Sequence, residues 1–422
     1  MKMYLLTLPL FVLGTTLSLA QAKTDKLLAR LLEKHPEKFK TLLADPEKYR
    51  IQILYTQIDR NKDNSPTFKT YRYRVNAQEY FNPASTVKLP ASLMALEKIN
   101  SLKVPGLARE TTMLTDSAYQ GQTTVRQDST SATGFPSIAH YIKKILVTSD
   151  NDAYNRLYEF IGQEPLNEGL KAKGYKSIRL PIRLSRFLPI ELDKYTNPVR
   201  FLQNGQVIYQ QRLVKSNRDY KNPIPILMGI GNINNEDQLV MEPRDFAFSN
   251  NFALEDQHLM LRALLFPESV PAQNRFHLSP EDYKFLYQYM SQLPRETAYP
   301  PYPEKDYPDA FVKYLLLGGP TRSERLPEHI RIFNKIGQSY GFLTDNAYVV
   351  DFKNKVEFLL TATVHVNEDG IYNDGKYEYD EIGFPFLRDL GQVVYDHELK
   401  RKRKHAPDLS RFRLVYDKQG QN

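Results

Sequence analysis

The sequence predicts a two-lobed α+β fold, with one antiparallel sheet built from both chain ends and a mainly helical middle. Strand-like runs rich in β-branched and aromatic residues lie near the N-terminus, at 51–58 and 68–75. Three more lie near the C-terminus, at 330–338, 341–352 and 356–366. Between these groups, apolar residues recur mainly at helical spacing. Strands grouped at the ends, with helices between them, favour a sheet packed against a separate helical layer.

The first residues predict a secretory signal. A basic start at Met1 and Lys2 precedes an apolar run from Tyr4 to Leu19, and small residues follow at Ala20 and Ala22. This order is typical of a cleaved signal, with cleavage expected after Ala22. A membrane anchor is the alternative, but a spanning helix needs roughly 20 apolar residues. We expect an exported protein, periplasmic or secreted, with no stable membrane insertion after cleavage.

The composition excludes several classes of site. The 422 residues contain no cysteine, which excludes a cysteine nucleophile, a thiolate zinc site, an iron–sulfur cluster and a lipidated N-terminal cysteine. The eight histidines form no H-x-x-x-H pair, so we expect neither a metal nor another cofactor. The net charge of +8 suggests anionic surroundings but defines no ligand, and we expect no nucleic acid partner.

The elements of the N-terminal half follow from local spacing. An amphipathic first helix is predicted by Leu27, Leu28, Leu31 and Leu32. The turn Asn61–Asn64 joins the first two strands as a hairpin. Residues 83–178 are mainly helical in pattern, whereas 180–245 are less regular, with a possible hairpin at Asn204-Gly205.

The C-terminal half begins with two predicted helices, at 243–266 and 279–293. A connection rich in proline and tyrosine spans 299–308, and a final helix is predicted at 384–398. The basic run Lys400–Lys404 follows that helix. We expect a solvated tail here, with adhesion to an anionic envelope polymer or lipid surface as the alternative.

The first chemical motif is Ser85-Thr86-Val87-Lys88, which follows Asn82-Pro83. If a helix starts near Pro83, residues i and i+3 share a face, so Ser85 and Lys88 point the same way. A serine hydroxyl needs a neighbouring base to act as a nucleophile, and a buried lysine with a lowered pKa can be that base. The motif occurs once in the chain.

The second motif is Ser149-Asp150-Asn151, after a helical run that ends at Val147. A second serine near the first can relay a proton to a leaving group. The Asn151 amide can hydrogen-bond both a lysine and a substrate amide. The competing interpretation is a helix N-cap, since Ser, Asp and Asn all favour that position.

The third motif is Lys335-Ile336-Gly337, in a strand-like segment that leads into Gln338. A fixed cation at Lys335 would lower the pKa of nearby proton carriers and attract an anionic substrate. Gly337 would allow a substrate backbone to approach closely. The N–H groups of Gln338 and Ser85 could together form an oxyanion hole.

The order of the three motifs carries a resemblance. S-x-x-K opening a helix, S-D-N at a helix end and K-x-G on a late strand resemble the signature of class A β-lactamases and penicillin-binding proteins. The resemblance implies an α/β lobe against a helical lobe and a Ser–Lys acyl-enzyme mechanism. It implies Ser85 as the acylated nucleophile, with Lys88 as its base. Ser149 would be the proton shuttle, Asn151 would orient substrate, and Lys335 would hold the electrostatics of the site.

The sequence departs from the family pattern in two places of the site. Ile336 stands where the family usually has Thr or Ser, so a hydroxyl for a substrate carboxylate is missing. The family's deacylating glutamate has no counterpart in 177–190, which contains no acid. Glu191 and Asp193 lie just beyond it as possible substitutes, whereas Glu164 is expected only to begin a helix. We therefore expect slow deacylation.

The middle of the chain is also longer than the family core. This implies insertions near 190–245 and 295–325 within a helical lobe spanning 81–327. The predicted organisation is completed by these parts: a signal peptide at 1–22, an α/β lobe from 23–80 together with 328–400, and a basic tail at 401–422. We expect a monomer acting on a small-molecule or peptide acyl substrate, such as a β-lactam or a D-alanyl peptide.

Two other functions remain open from the sequence. Gly337-Gln338-Ser339-Tyr340-Gly341 matches the G-x-S-x-G elbow of α/β-hydrolases, with Ser339 as nucleophile. That motif needs a helix after it, whereas the following residues have a strand pattern. A non-catalytic protein that binds envelope peptides is the second alternative, although retention of Ser85, Lys88, Ser149 and Lys335 argues against it.

Overall fold

The computed structural model describes residues 22–186 and 189–418. The predicted signal lies outside the described residues except for Ala22. Within the described ranges, no helix combines the length and the apolar character that crossing a bilayer would require.

Helices and strands alternate in blocks along the chain. The α-helices are α1 Lys26–Glu33, α2 Pro36–Ala44, α3 Lys88–Leu102, α4 Ile138–Thr148, α5 Asn151–Ile161, α6 Gln163–Ala172, α7 Leu254–Leu265, α8 Pro280–Ser291 and α9 Phe384–Lys400. The strands are β1 Gln52–Arg60, β2 Pro66–Tyr73, β3 Thr112–Thr115, β4 Tyr195–Thr196, β5 Val199–Gln203, β6 Gln206–Gln211, β7 Val214–Lys215, β8 Leu227–Met228, β9 Gly231–Ile233, β10 Leu239–Val240, β11 Arg244–Asp245, β12 Ile330–Ser339, β13 Phe342–Asp351, β14 Val356–His365 and β15 Ile371–Tyr372.

The main sheet joins the two ends of the chain. Its five strands run in the order β12-β13-β14-β1-β2, and every neighbouring pair is antiparallel. The N-terminal hairpin β1–β2 therefore pairs with the C-terminal strands through β14, with Tyr55 opposite Leu360. The predicted fold class, a mixed α/β fold with an antiparallel sheet from both chain ends, is confirmed.

Each face of the sheet covers its own hydrophobic core. Phe333 and Tyr348 face a core shared with α3, α4, α5, α7 and α8. Ile332 and Ile336 face a second core shared with α1, α2 and α9. Because side chains alternate along a strand, Lys335 lies on the same face as Phe333, toward the helices. Alternation along β12 thus decides which residues of the third motif can reach a site among the helices.

The structure differs from the predicted elements in the middle of the chain. Only part of 83–178 is helical: the segment between α3 and α4 contains β3, which pairs with β5. The helix predicted from 243 starts at Leu254, because Arg244 pairs with Met228 across β8 and β11. These pairings join residues far apart in sequence, which local periodicity does not detect. The hairpin predicted at Asn204-Gly205 is present between β5 and β6.

The residues before β12 pack against the sheet. Leu293, Ala310, Leu315 and Leu326 belong to the same core as α9 and Ile336. The predicted helical lobe extended to residue 327, but this part of it shares its core with the α/β elements. It also supplies Lys313 and Tyr314, which lie close to the third motif.

The prediction of a solvated tail after α9 is wrong in part: between residues 401 and 418, exposed basic residues alternate with buried ones. Leu409 and Phe412 are buried in the core that contains α7 and α8. Arg401 and Arg403 both bond the fully buried carboxylate of Glu398, Arg401 at 2.9 Å. The basic residues hid this packing, because arginines that neutralise a buried acid look the same in sequence as arginines in solvent.

Candidate active site

A tight turn presents Ser85 at the start of α3. Residues Ala84–Val87 form a 3₁₀ turn, and the α-helix begins at Lys88 rather than near Pro83 as predicted. Asn82 Oδ1 accepts the N–H of Ala84 at 2.8 Å. Residues three apart eclipse one another in a 3₁₀ turn, so Ser85 and Lys88 still share a face.

Gly337 of β12 packs directly on that turn. A Cβ atom at Gly337 would lie 2.5 Å from the carbonyl oxygen of Pro83 and 3.1 Å from Cγ2 of Thr86. No side chain fits there without moving the backbone. This glycine was predicted to let a substrate backbone approach closely; in the structure its close neighbour is the turn that carries Ser85.

The S-D-N motif divides its functions among its three residues. Asp150 caps α5, since its Oδ1 accepts the N–H of Ala153 at 2.7 Å. Ser149 ends α4 in the left-handed conformation, with φ of +59°. This backbone kink leaves the Ser149 and Asn151 side chains to contact Lys88. Capping and a polar site, the two competing interpretations, therefore coexist in one motif.

Lys88 is fully buried, and among the described residues its side-chain amine bonds only to the second motif. Its Nζ donates to Asn151 Oδ1 at 2.6 Å, to Ser149 Oγ at 3.2 Å and to the Ser149 carbonyl oxygen. Burial lowers the pKa of Lys88 to about 7, although the Asp150 carboxylate acts in the opposite direction. A substantial fraction of this amine is therefore neutral at pH 7, as a proton acceptor must be.

Lys335 reaches the same serine from β12. Its side chain is 2% exposed, and Nζ donates to Ser149 Oγ at 2.8 Å and to the Ile336 carbonyl oxygen at 3.0 Å. Burial first, and then the nearby charge of Lys88, lower the pKa of Lys335 well below its usual value. Two buried amines thus meet at one hydroxyl, where an anionic ligand would strongly favour their protonated forms.

Ser85 lies in the turn directly before Lys88, whose N–H donates to the Ser85 carbonyl oxygen, and it is half-buried. Within residues 22–186 and 189–418, its hydroxyl has no hydrogen-bond partner, and Lys88 Nζ bonds to Ser149 and Asn151 instead. The structure therefore brings Lys88, Ser149, Asn151 and Lys335 into direct contact. Ser85 joins them through its place on the turn before Lys88 and under Gly337.

Gln338 ends the third motif on the free edge of the sheet, where its side chain is exposed. The two-residue turn Tyr340-Gly341 joins β12 to β13. The residues on either side of it, Ser339 and Phe342, form a hydrogen-bonded pair. Because bonded and non-bonded pairs alternate along an antiparallel ladder, the backbone groups of Ile336 and Gln338 face outward. The Ile336 carbonyl that accepts from Lys335 fits this alternation. We expect the Gln338 N–H to point outward from this edge of the sheet.

The Ile336 side chain lies on the opposite face of β12 from Lys335. Its side chain is buried in the core formed with α1, α2 and α9. The hydroxyl that the family usually carries at this position is thus absent, and the isoleucine stabilises the opposite face of the sheet. Lys335 is the charged motif residue left on the face of β12 toward the helices.

The carboxylates considered as deacylating bases have other partners. Asp193 Oδ1 lies 2.8 Å from Arg183 Nη1 in a buried ion pair. Glu191 is 75% exposed and pairs with Lys194 at 2.9 Å. Glu164 lies in the first turn of α6, as expected, and pairs with Arg218.

One contact in the site was missed by sequence reasoning. Asn151 Nδ2 donates to Ser185 Oγ at 2.7 Å, so the acid-free loop 177–190 touches the motif residues through a serine. Ser185 has φ of +50°, a left-handed conformation that is uncommon for serine. The absence of acids in the loop was the available signal, but it did not show which residue faces the site.

Ser339, the alternative nucleophile, is not followed by the helix that a nucleophile elbow requires. Ser339 is the last residue of β12, and a two-residue turn leads directly into strand β13. A nucleophile elbow needs a strand followed by a helix. The strand–turn–strand arrangement does not form one.

One family model matches the segment that carries the first two motifs. The model of the β-lactamase enzyme family matches residues 36–221, which include Ser85, Lys88, Ser149 and Asn151. Over these residues the chain is similar to the β-lactamase enzyme family. The resemblance to the class A β-lactamase and penicillin-binding protein superfamily is thereby confirmed. The third motif, at Lys335, lies beyond the matched segment of this β-lactamase-like chain.

Solved β-lactamase structures are similar to most of the chain at low identity. A β-lactamase from Sphaerobacter thermophilus is 12% identical over 88% of this chain and 96% of its own, with a TM-score of 0.47. One from Burkholderia phymatum is 14% identical over 87% and 98%, with a TM-score of 0.48. One from Xanthomonas campestris is 17% identical over 88% and 97%, with a TM-score of 0.46. Comparison with curated proteins finds no match.

Proposed function

We propose that this β-lactamase-like chain is an exported serine acyl hydrolase or acyltransferase whose nucleophile is Ser85. Its substrate would be an amide or ester, such as a β-lactam or a D-alanyl peptide. One observation carries the proposal: Lys88 and Lys335 both donate to Ser149 Oγ, at 3.2 and 2.8 Å. Three distant segments thus place two buried amines on one hydroxyl, beside the turn that bears Ser85.

Acylation would begin with proton transfer from Ser85. The neutral Lys88 amine takes the proton from Ser85 Oγ as that oxygen attacks the acyl carbon. Ser149 accepts from both lysines, so its own hydrogen is free to pass to the leaving nitrogen or oxygen. Lys88 then replaces the proton that Ser149 gave. The last transfer joins two groups that are hydrogen-bonded in the structure, Lys88 and Ser149, whereas the first needs the Lys88 side chain to turn toward Ser85.

The negative charge of the tetrahedral intermediate would be held by backbone donors. The N–H groups of Ser85 and Gln338 are the proposed oxyanion hole, since β12 contacts the turn that carries Ser85 at Gly337. A substrate anion near Lys335 would raise the pKa of that lysine and keep it charged. The site is therefore expected to prefer substrates with a carboxylate.

Deacylation is proposed to be slow. Water attacks an acyl-enzyme efficiently only when a positioned base removes its proton. Asp193 is held by Arg183, Glu191 lies in solvent beside Lys194, and the loop 177–190 contributes no acid. The acyl-enzyme should accumulate, as expected of a penicillin-binding protein.

A non-catalytic envelope peptide-binding protein is the second candidate. The observation that favours it is that the Ser85 hydroxyl has no hydrogen-bond partner among the described residues, Lys88 included. In that case Lys335 and the Lys88–Ser149 cluster would bind an anionic peptide group without forming a covalent bond. The two candidates differ in whether an adduct forms.

Intact-protein mass spectrometry separates them. Wild-type protein incubated with benzylpenicillin, and separately with a fluorophosphonate, should gain one adduct per chain. Ser85→Ala should gain none, whereas the matched variant Ser339→Ala should react like the wild type. Labelling that persists in Ser85→Ala, or is lost only in Ser339→Ala, would contradict the assignment. No adduct on any variant, with binding intact, would favour the non-catalytic candidate.

A further inference from the structure

A buried carboxylate lies behind the third motif, on the face of the sheet opposite to Lys335. Asp345 of β13 is fully buried and lies directly opposite Ile336 of β12. Because cross-strand partners share a face, its side chain lies with Ile336 on the side of the apolar core that contains α9. A charged group in such a core has to be held by strong partners.

The Asp345 carboxylate holds two segments of the chain. Its Oδ1 accepts from Asn334 Nδ2 at 2.7 Å, and its Oδ2 accepts the N–H groups of Tyr314 and Leu315 at 3.0 Å each. Burial raises the pKa of this carboxyl, whereas these donors and the Lys313 amine oppose the rise. Because all three hydrogen-bond partners donate, the ionised carboxylate is the form that fits them.

Each of these contacts leads to one end of the third motif. Asn334 directly precedes Lys335 on β12. At the other end of the motif, the Tyr314 hydroxyl donates to Gln338 Oε1 at 3.2 Å. Asp345 is thus bonded both to the residue before Lys335 and to the residue that holds Gln338. One buried group therefore supports the cation and the backbone donor that the proposed function uses.

A buried lysine completes this network. Lys313 Nζ donates to Asn334 Oδ1 at 2.6 Å and to the Met290 carbonyl oxygen at 2.7 Å. A buried cation and a buried anion are thus joined through one amide. Replacing buried charges of opposite sign by apolar residues is often neutral or stabilising, so stability alone does not account for them. The charged neighbours of Lys313 are Asp345, Arg331, Glu296 and Asp309.

We propose that Asp345 is a positioning residue of the active site, which holds Lys335 and Gln338 in place through Asn334 and Tyr314. The inference rests on the proposed function and adds a residue to it. Because Asp345 lies on the opposite face of the sheet from Lys335, it acts through β12 rather than on the substrate. A cation and an oxyanion donor that are held in advance need not reorganise when negative charge develops in the reaction.

The charge of Asp345 also acts on Lys335. The carboxylate favours the protonated form of Lys335, whereas burial and the amines of Lys88 and Lys313 lower its pKa. These three groups lie on α3, on the segment before β12 and on β13. Asp150, which caps α5, acts on Lys88 in turn. Removing the charge of Asp345 would lower the pKa of Lys335 further, so this lysine would become neutral at a lower pH.

Asp345→Asn tests this inference with two probes. The variant keeps the size of the side chain and removes its charge. Adduct formation with benzylpenicillin, which carries a carboxylate, and with a fluorophosphonate ester, which does not, is followed by intact mass between pH 5 and 9. Lys88 serves both reactions, so the ratio of the two rates isolates the effect of Lys335. Leu315→Ala is the matched control, because it disturbs the same core and keeps the N–H that bonds Asp345.

We expect the benzylpenicillin rate in Asp345→Asn to fall at least about tenfold more than the fluorophosphonate rate, as the loss of one nearby charge predicts at an intermediate dielectric. The ratio should also fall at a lower pH than in the wild type, because Lys335 loses its proton earlier. Leu315→Ala should melt at a lower temperature and keep the wild-type ratio. Tyr314→Phe, which removes the hydroxyl that bonds Gln338, should slow both probes by the same factor of about 2–10.

The outcomes separate this inference from the proposed function. Equal losses with both probes in Asp345→Asn would show a structural group only, which overturns the positioning role and leaves Ser85 acylation standing. A Tyr314→Phe variant that reacts like the wild type would also overturn that role, and it decides alone if Asp345→Asn does not fold. A wild type that forms no adduct with either probe overturns both the inference and the proposed function.

Discussion

At the scale of single residues, the site depends on two buried lysines that share a serine hydroxyl. Lys88 comes from the start of α3 and Lys335 from an edge strand, and both donate to Ser149 Oγ. Taking two amines out of water is costly, so an arrangement of this kind is more typical of a functional site than of a structural one. Burial causes both this cost and the lowered pKa values of Lys88 and Lys335.

Replacing either lysine should stop acylation without unfolding the protein. Lys88→Ala removes the proton acceptor and Lys335→Ala the cation, so each should lower the acylation rate by about 10²–10⁴. Adduct formation followed by intact mass measures the rate, and thermal melting reports the fold. Lys98→Met is the matched control, since Lys98 is another lysine of α3 that burial shifts to a pKa of about 8. Normal acylation in Lys88→Ala or Lys335→Ala would contradict the role of that lysine.

The pH dependence of acylation should report Lys88. Only the neutral amine accepts a proton, and its pKa is lowered to about 7. The neutral fraction grows as pH rises, so the acylation rate should increase through about pH 7 and level off above it. Stopped reactions between pH 5 and 9, analysed by mass, give the profile. A rate that is flat over this range, or that falls with rising pH, would exclude Lys88 as the base.

At the scale of elements, the site is assembled where an edge strand meets a helix start. Gly337 lets β12 approach the turn before α3, and the Ala84–Val87 turn in place of regular helix gives Ser85 its position. The three motifs and the strands were predictable because each is local in sequence. The position of Gly337 against Pro83 was not, because nothing in either segment indicates the other.

Enlarging Gly337 should damage the site through that contact. In Gly337→Ala the new methyl would lie 2.5 Å from the Pro83 carbonyl oxygen, so the turn that holds Ser85 must shift. Overpacking of this kind typically costs about 1–3 kcal/mol of stability, and acylation should slow as well. Urea unfolding and adduct formation measure the two effects. The control is Ile336→Val, which changes the opposite face of the strand and should lose stability but keep its acylation rate. Unchanged acylation in Gly337→Ala would contradict the packing argument.

The contact of Ser185 with Asn151 could not be predicted from the sequence either, because it also joins two separate segments. The sequence indicated that 177–190 lacks an acid, but the anchors of the loop are Glu159, Asn155 and Asp193, two of which lie on α5. Charged residues that neutralise one another across elements have no periodicity. Only the folded structure shows that residue 185 faces Asn151.

At the scale of the whole molecule, the chain closes on itself. The two ends form one sheet, and the segment after α9 returns to cover the core near α7 and α8. The pattern of strands and helices was sufficient to predict the fold class. It was not sufficient for residues 401–418, where sparse apolar residues among many basic ones suggested solvent.

The C-terminal segment should contribute to stability. Phe412 is buried among Phe266, Tyr287, Phe333 and Tyr348, so Phe412→Ala should cost about 3–5 kcal/mol of unfolding free energy. Val415→Ala is the control in the same segment, since Val415 is 64% exposed and should change stability by less than about 0.5 kcal/mol. Urea titrations of both variants measure the difference. Equal stabilities of Phe412→Ala and Val415→Ala would instead support the prediction of a solvated tail.

The central claim is that Ser85 becomes acylated, and the most direct test is to locate the adduct on the wild-type chain. Trypsin should release Ser85 in the peptide 75–88 and Ser339 in the peptide 336–353, because Arg74, Lys88, Lys335 and Lys353 supply the cleavage points. After reaction with a fluorophosphonate, tandem mass spectrometry should find the added mass on Ser85 in the first peptide. An adduct on Ser339 in the second peptide, or no modified peptide containing Ser85, would contradict the claim.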